Sequence, residues 1–256
     1  MHLTPRRLAW LLAVTALPLG CADAPRDPVA LLVAPEARAA LEVGSTLPAL
    51  PDLIRQHTVG AATGDLARAE TLWREAAGAV DGAQAGELRE AAYALAAPPL
   101  AEAMDSASLA GTQARLERWI GLAGGALRHA EFQDLAAALT EAGQELAAAR
   151  VAGTRGERVE AVTLTLRAAD RLSETTPRAV AARLSAQDEA ALAGLRAVAG
   201  PPSSEEARRR LERIDRLVRG AREALAGGRF ELAIRRAYYA RQLLMAERAV
   251  ASGEAK

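Results

Sequence analysis

The chain of 256 residues contains no asparagine, one lysine (Lys256), one cysteine, three histidines and only 3% aromatic residues, and its 32 Lys+Arg balance its 32 Asp+Glu. A single cysteine rules out an intrachain disulfide, and three scattered histidines leave no basis for a coordinated zinc site. Zero net charge removes the usual electrostatic case for a nucleic-acid partner. Disorder is excluded too, because half of the residues are apolar, and the length suffices for one or two cores. What fills the chain instead is alanine, about a quarter of all residues. With only four isoleucines beside the missing asparagine, this is the signature of GC-rich codons. Arginine is then the default cation, and an arginine cluster weighs less here than it would in a lysine-rich protein.

The N-terminus reads as an address. Arg6 and Arg7 precede an apolar run from Leu8 to Leu19. That run is too short for a permanent span, which needs about 20 residues, and has the form of an export signal. It ends in Leu17-Pro18-Leu19-Gly20-Cys21, which resembles the lipobox of bacterial lipoproteins. The resemblance implies that residues 1–20 are removed and that Cys21 becomes the lipidated first residue, although Pro18 and Leu19 stand where the family has Leu and a small residue. Two other readings stay open: ordinary cleavage at Ala22-Asp23-Ala24, with Pro25 directly after it, and retention as an anchor. Acyl chains would hold the protein on a membrane without spanning it. Asp23 is not adjacent to Cys21, so the common inner-membrane retention signal is lacking, and in a cell with two membranes the expected place is the outer one, facing the periplasm.

Residues 21–64 hold Pro25, Pro28, Pro35, Pro48 and Pro51 and read as a tether, with one short helix near Glu36–Val43. From Asp65 on, apolar residues recur at three and four, and no alternating strand pattern occurs. The expected fold is all-α: about eight helices starting near 65, 86, 112, 131, 156, 177, 204 and 229, paired as short-looped antiparallel hairpins. Thr176 is an N-cap with Pro177 at the first helical position. Ser203 with Glu206 has the spacing of a capping box, Ala207, Leu211, Ile214, Val218, Ala221 and Leu225 form one apolar stripe, and Gly227-Gly228 end it.

A shift of 98 residues lays Arg115–Arg150 on Arg213–Arg248, matching Ala123 to Ala221, Leu127 to Leu225, Phe132 to Phe230, Gln144 to Gln242 and Leu146 to Leu244. A weaker match at a shift near 92 joins Ala69 to Ala161 and Leu72 to Leu164. Together they suggest a duplicated four-helix unit, with a first unit at 65–150 and a second at 151–256 packed with it. Within the repeat, Gly228-Arg229-Phe230-Glu231-Leu232-Ala233 followed by Ala240, with Leu217 and Ala221 before them, resembles a tetratricopeptide hairpin. Trp119, Leu122, Ala123, Phe132 and Ala142 hold comparable places in the other copy. The family's closing proline is absent from both, and the hairpins are not contiguous. The resemblance implies an interaction scaffold without chemistry of its own.

No catalytic, cofactor-binding or metal-binding residues are expected. His57 and His129 stand alone, no glycine-rich phosphate loop or haem motif occurs, and the carboxylate pairs Glu87/Glu90 and Glu141/Glu145 read as solvated helix faces. Trp73, Tyr93, Trp119, Phe132, Phe230 and Tyr238 read as core. Tyr239 lies on a second apolar stripe of the last helix with Leu232 and Leu243, so that helix is either central or turns one face to a partner.

The zero net charge is a sum of opposites: residues 60–150 carry −6 and residues 205–248 carry +5. Arg210, Arg213, Arg216, Arg219 and Arg222 recur every third residue. Glu206, Glu212 and Asp215 each precede an arginine by four, so a salt-bridged solvated face is one account. Docking on the acidic half and binding of an anionic envelope component are the others. The candidate interaction face is Arg210, Arg213, Arg216, Arg219 and Tyr239. The functional expectation is a lipid-anchored cell-envelope protein with a helical module for protein interaction or scaffolding, no enzyme, with an envelope protein as a partner and no nucleic acid. The alternative is a carrier of an apolar or anionic small molecule between the two halves.

Overall fold

The computed structural model describes residues 47–58, 64–126, 133–199 and 204–251, and these form nine helices and no strand. They are α1 (Leu50–His57), α2 (Gly64–Gly78), α3 (Gly82–Ala103), α4 (Ser106–Ala126), α5 (Gln133–Thr154), α6 (Arg158–Ser173), α7 (Pro177–Ala199), α8 (Glu205–Ala226) and α9 (Phe230–Ala251). The chain is all-α, as its periodicity predicts. The expected export signal, Cys21, the short helix expected at Glu36–Val43, His129 and Phe132 lie outside the described residues.

Local chemistry sets the helix ends. Thr176 caps α7, its Oγ1 accepting from the Ala179 amide at 3.3 Å, with Pro177 at the first position. The α5–α6 and α8–α9 turns use one device: Gly156 and Gly228 adopt φ of +79° and +68°. The following amides reach back to the helix, Glu157 to Ala152 at 3.0 Å and Arg229 to Ala224 at 2.8 Å. Only glycine takes that left-handed turn without strain.

Three expectations are corrected here. The cap of α8 is Ser204, whose Oγ accepts from the Ala207 amide at 3.1 Å, and Glu206 pairs with Arg210 instead of closing a capping box. The tether does not run to residue 64. Pro51 sits in the first turn of α1, where a missing N–H costs nothing, and Leu50, Leu53 and Ile54 are buried against α2 and α3. Nor do all the expected hairpins form. α2 packs on α3, α5 on α6 and α8 on α9, but α7 lies along α9 and α8 instead of folding back along α6. The other side of α6 is taken by α3.

Three apolar clusters follow one another along the molecule. The first joins α1, α2 and α3 to Val162 and Leu166 of α6. The middle one joins α4, α5 and α6 to the start of α7 and the turn end of α8 and α9, through Leu116, Trp119, Leu146, Leu172, Leu184 and Ile234. The third closes α7, α8 and α9 around Leu192, Ile214, Val218 and Leu244. Of the 43 buried apolar residues among those described, 19 are alanine, so helix axes approach closely and little room is left between them. Residue 150, where a division between units was expected, falls inside α5, whose main neighbour is α6. Repeat-matched positions keep their environment, Ala123 and Ala221 buried, Leu146 and Leu244 buried, Gln144 and Gln242 exposed. The pairing differs between the copies, because α5 rests chiefly on α6, while α9 rests on α8 and α7.

Candidate interaction surface

Two contacts fix the register of α8 against α9. The Arg236 guanidinium donates to the Gly220 carbonyl at 2.8 Å, and Arg210 pairs with Glu247 at 2.5 Å. Gly220 is required for the first, since a Cβ there would meet Arg236 Nη1 at 2.8 Å. Arg210, Arg213, Leu217 and Gly220 share one helical stripe of α8, and Leu232, Arg236, Tyr239, Leu243 and Glu247 share one of α9. In the antiparallel register that these two contacts define, Tyr239 falls level with Leu217 and Leu243 with Arg213. The structure therefore brings Arg210, Arg213 and Tyr239 to one seam, with Arg216 on its solvent edge.

Arg219 is not part of it. It turns to the α7 side, pairing at 2.9 Å with Asp215, which also takes Arg196 at 2.7 Å. Arg210 is held by Glu206 as well as by Glu247. The expected Glu212–Arg216 pair is not formed, and Glu212 approaches Arg208 at 4.0 Å. Arg213 and Arg216 are exposed, with no acidic partner among the described residues. Tyr239 is 45% exposed and meets Tyr238 edge-on at 5.8 Å between ring centres. The second stripe of α9 thus resolves into half-buried Leu232 and Leu243 against the cores and an outward Tyr239.

No family model, curated protein or solved structure matches this chain. The surface has to be judged on its own chemistry. Among the described residues no three His, Cys, Asp or Glu side chains are grouped to hold a metal, and no helix is long and apolar enough to cross a membrane.

Sequence reasoning missed two charged sites. On α6, Asp170 accepts from Trp73 Nε1 at 3.3 Å and pairs with Arg89 at 3.3 Å. Tyr93 beneath it is buried, and burial, reinforced by Asp170, pushes its phenol up. Arg167 pairs with Glu90 of α3, and Arg171 with Glu141 and Glu145 of α5 at 2.6 and 2.9 Å. The carboxylate pairs read as solvated faces are in part clamps on α6. Burial raises the Glu145 carboxyl against the opposing bond from Arg171, while that same bond raises the Arg171 guanidinium. A cavity of about 190 Å³ opens among Arg89, Glu90, Arg167, Asp170 and Arg171, and all five are in ion pairs.

The other site is Asp188 on α7, 2% exposed, with Oδ1 accepting from Arg241 Nε at 3.3 Å and Oδ2 without a partner. Burial pushes its carboxyl up to about 6, with Arg241 opposing. Asp188 and Arg241, with Ala191, Leu244 and Met245, border an open cleft of about 520 Å³ between α7 and α9.

Proposed function

We propose that the chain is an exported, lipid-anchored protein of the cell envelope whose helical body serves as an interaction module or scaffold. The observation that carries the reading is the only cysteine, Cys21, standing directly after Gly20 at the close of an apolar run behind Arg6 and Arg7. Lipidation there anchors the body without a spanning helix, on the periplasmic face of the outer membrane where two membranes exist. The α8–α9 hairpin, which resembles a tetratricopeptide hairpin in its Gly-Arg-Phe-Glu-Leu-Ala start, carries the contact seam of Arg210, Arg213, Arg216 and Tyr239. Tyrosine and arginine are the side chains that interfaces favour. Feeding cells a fatty-acid analogue tests the anchor: wild type takes up label and Cys21→Ser does not, and undiminished label on Cys21→Ser refutes it. Pull-down from envelope extracts tests the module, with partners lost from an Arg213→Glu/Arg216→Glu variant, and identical partner sets remove the seam as a protein contact.

The carrier reading would have to use the open cleft of about 520 Å³ between α7 and α9, which lies within one half of the chain. That cleft is bordered by a buried carboxylate with an orphan oxygen, which an apolar ligand would leave unsatisfied.

A further inference from the structure

We infer that the α8–α9 seam is a second membrane contact, lying along an anionic phospholipid surface. The inference rests on the proposed anchoring and deepens it by assigning the seam an occupant.

Charge is the first argument. Residues 205–248 carry +5 and residues 60–150 carry −6, so the molecule is electrically two-sided, and an extended negative surface attracts the hairpin while repelling the first helices. The second is which charges are available. Most arginines of the hairpin are used internally: Arg208 and Arg209 by Glu205, Arg210 by Glu206 and Glu247, Arg219 by Asp215, Arg222 by Glu189, Arg235 by Glu231, Arg236 by the Gly220 carbonyl and Arg241 by Asp188. Arg213 and Arg216 are exposed on the seam side without a carboxylate among the described residues.

Shape is the third. α8 and α9 each run 22 residues, about 33 Å at 1.5 Å per residue, and lie side by side, so their outer seam can meet a plane along its length. Tyr239, at 45% exposure, and Val250, at 56%, fall on that stripe of α9 with half-buried Leu243 between them. An amphipathic tyrosine in an apolar strip, flanked by arginines whose stems can lie on it, suits the headgroup layer. The lipid at Cys21 would confine the body near the surface, so a weak second contact suffices to set its orientation. The acidic α2–α3 end then points away from the membrane.

The test uses the chain beginning at Ala22, which keeps every helix described and lacks the anchor, so its failure leaves the lipidation reading untouched. Binding is measured by co-sedimentation with vesicles of phosphatidylcholine alone and of two parts phosphatidylcholine to one part phosphatidylglycerol. The expected result is binding to the anionic vesicles only, weakened by salt. Arg213→Gln and Arg216→Gln are each expected to weaken partitioning about fivefold, and together about 25-fold, from ~1 kcal/mol per surface arginine. Tyr239→Ala weakens it several-fold, and Arg208→Gln, on the far side of α8, by less than about twofold. Circular dichroism confirms that these exposed substitutions leave the helices intact. Equal binding to neutral vesicles, no binding to anionic ones, an unaffected Arg213/Arg216 double variant, or an equal loss in Arg208→Gln each overturns the inference. No vesicle binding together with retained pull-down of a protein partner would assign the seam to that partner.

Discussion

Asp188 contributes less to the stability of this fold at neutral than at acid pH. Its carboxyl is raised by burial from an ordinary value near 3.8 to about 6, so in the pH interval between those values the folded chain holds a proton that the unfolded chain has released. The stability it contributes is complete below the lower value and is lost as pH rises through the upper one. A shift of about two units corresponds to roughly 3 kcal/mol as a ceiling. Arg241 is 20% exposed at the mouth of an open cleft, so solvent screens the pair, and about 1–2 kcal/mol is the expected loss. The charged groups around Asp188 are Arg241 and Arg248 of α9, which border the same cleft, and the Glu189–Arg222 pair between α7 and α8. Asp188→Asn keeps the shape and removes the titration. Urea unfolding of both proteins between pH 4 and pH 7 isolates the effect, because every other carboxylate is common to the two. The variant gains about 1–2 kcal/mol relative to wild type as pH rises from 4 to 7. A difference between the two proteins that does not change with pH would refute the reasoning.

The other expectations are simpler. Asp170→Ala strands the Trp73 N–H and the Tyr93 hydroxyl and leaves Arg89 only its exposed pair with Glu174, and should cost about 2–4 kcal/mol in urea unfolding, more than Asp170→Asn. Gly121→Ala and Gly194→Ala, in exposed helix interiors where a Cβ meets nothing within 4 Å, should each add about 0.5–1 kcal/mol, seen as a higher melting temperature. Tyr239→Ala should cost less than about 1 kcal/mol, whereas Trp119→Ala, which leaves a cavity in the middle core, should cost about 3–5, and similar losses would contradict the exposed placement of Tyr239.

What the sequence disclosed was local. The starts of α5 to α9 were expected within two residues, and the signals at Thr176-Pro177 and Gly227-Gly228 act on their immediate neighbours. α3 and α4 begin four and six residues before their expected starts, at the unread caps Asp81 and Asp105, whose carboxylates accept from Ala83 at 3.0 Å and Ser108 at 2.7 Å. α1 was missed because proline was weighed as a breaker without regard to its place in the turn, and α3 runs through Pro98 and Pro99. Burial of Tyr93, Ala96, Ala97 and Leu100 against neighbouring helices overrides the local penalty there. Helix pairing was the least legible feature, since periodicity identifies a buried face and not its partner. α6 buries Ala161, Val162, Thr165, Leu166, Ala168, Ala169 and Leu172, too broad a face for one neighbour. The same holds for charge: Glu206–Arg210 and Asp215–Arg219 could be foreseen from spacing, whereas Arg167–Glu90, 77 residues apart, could not. Asp188 sits in Gln187-Asp188-Glu189, indistinguishable in sequence from a solvated stretch.

The alanine-filled interior bears on how this protein can change over time. One base change in an alanine codon yields valine, glycine, threonine, serine, proline, aspartate or glutamate. At a position where two helices touch through a methyl group, most of these add volume or polarity, and overpacking alone costs about 1–3 kcal/mol. Glycine removes the methyl but loosens the helix by about 0.5–1 kcal/mol. A leucine or isoleucine core can drift through neighbours of similar size, but 19 of these 43 buried positions have almost no neutral neighbour to move to. Among descendants of this chain, inherited variation would collect on the exposed faces, and the helix contacts would stay as they are.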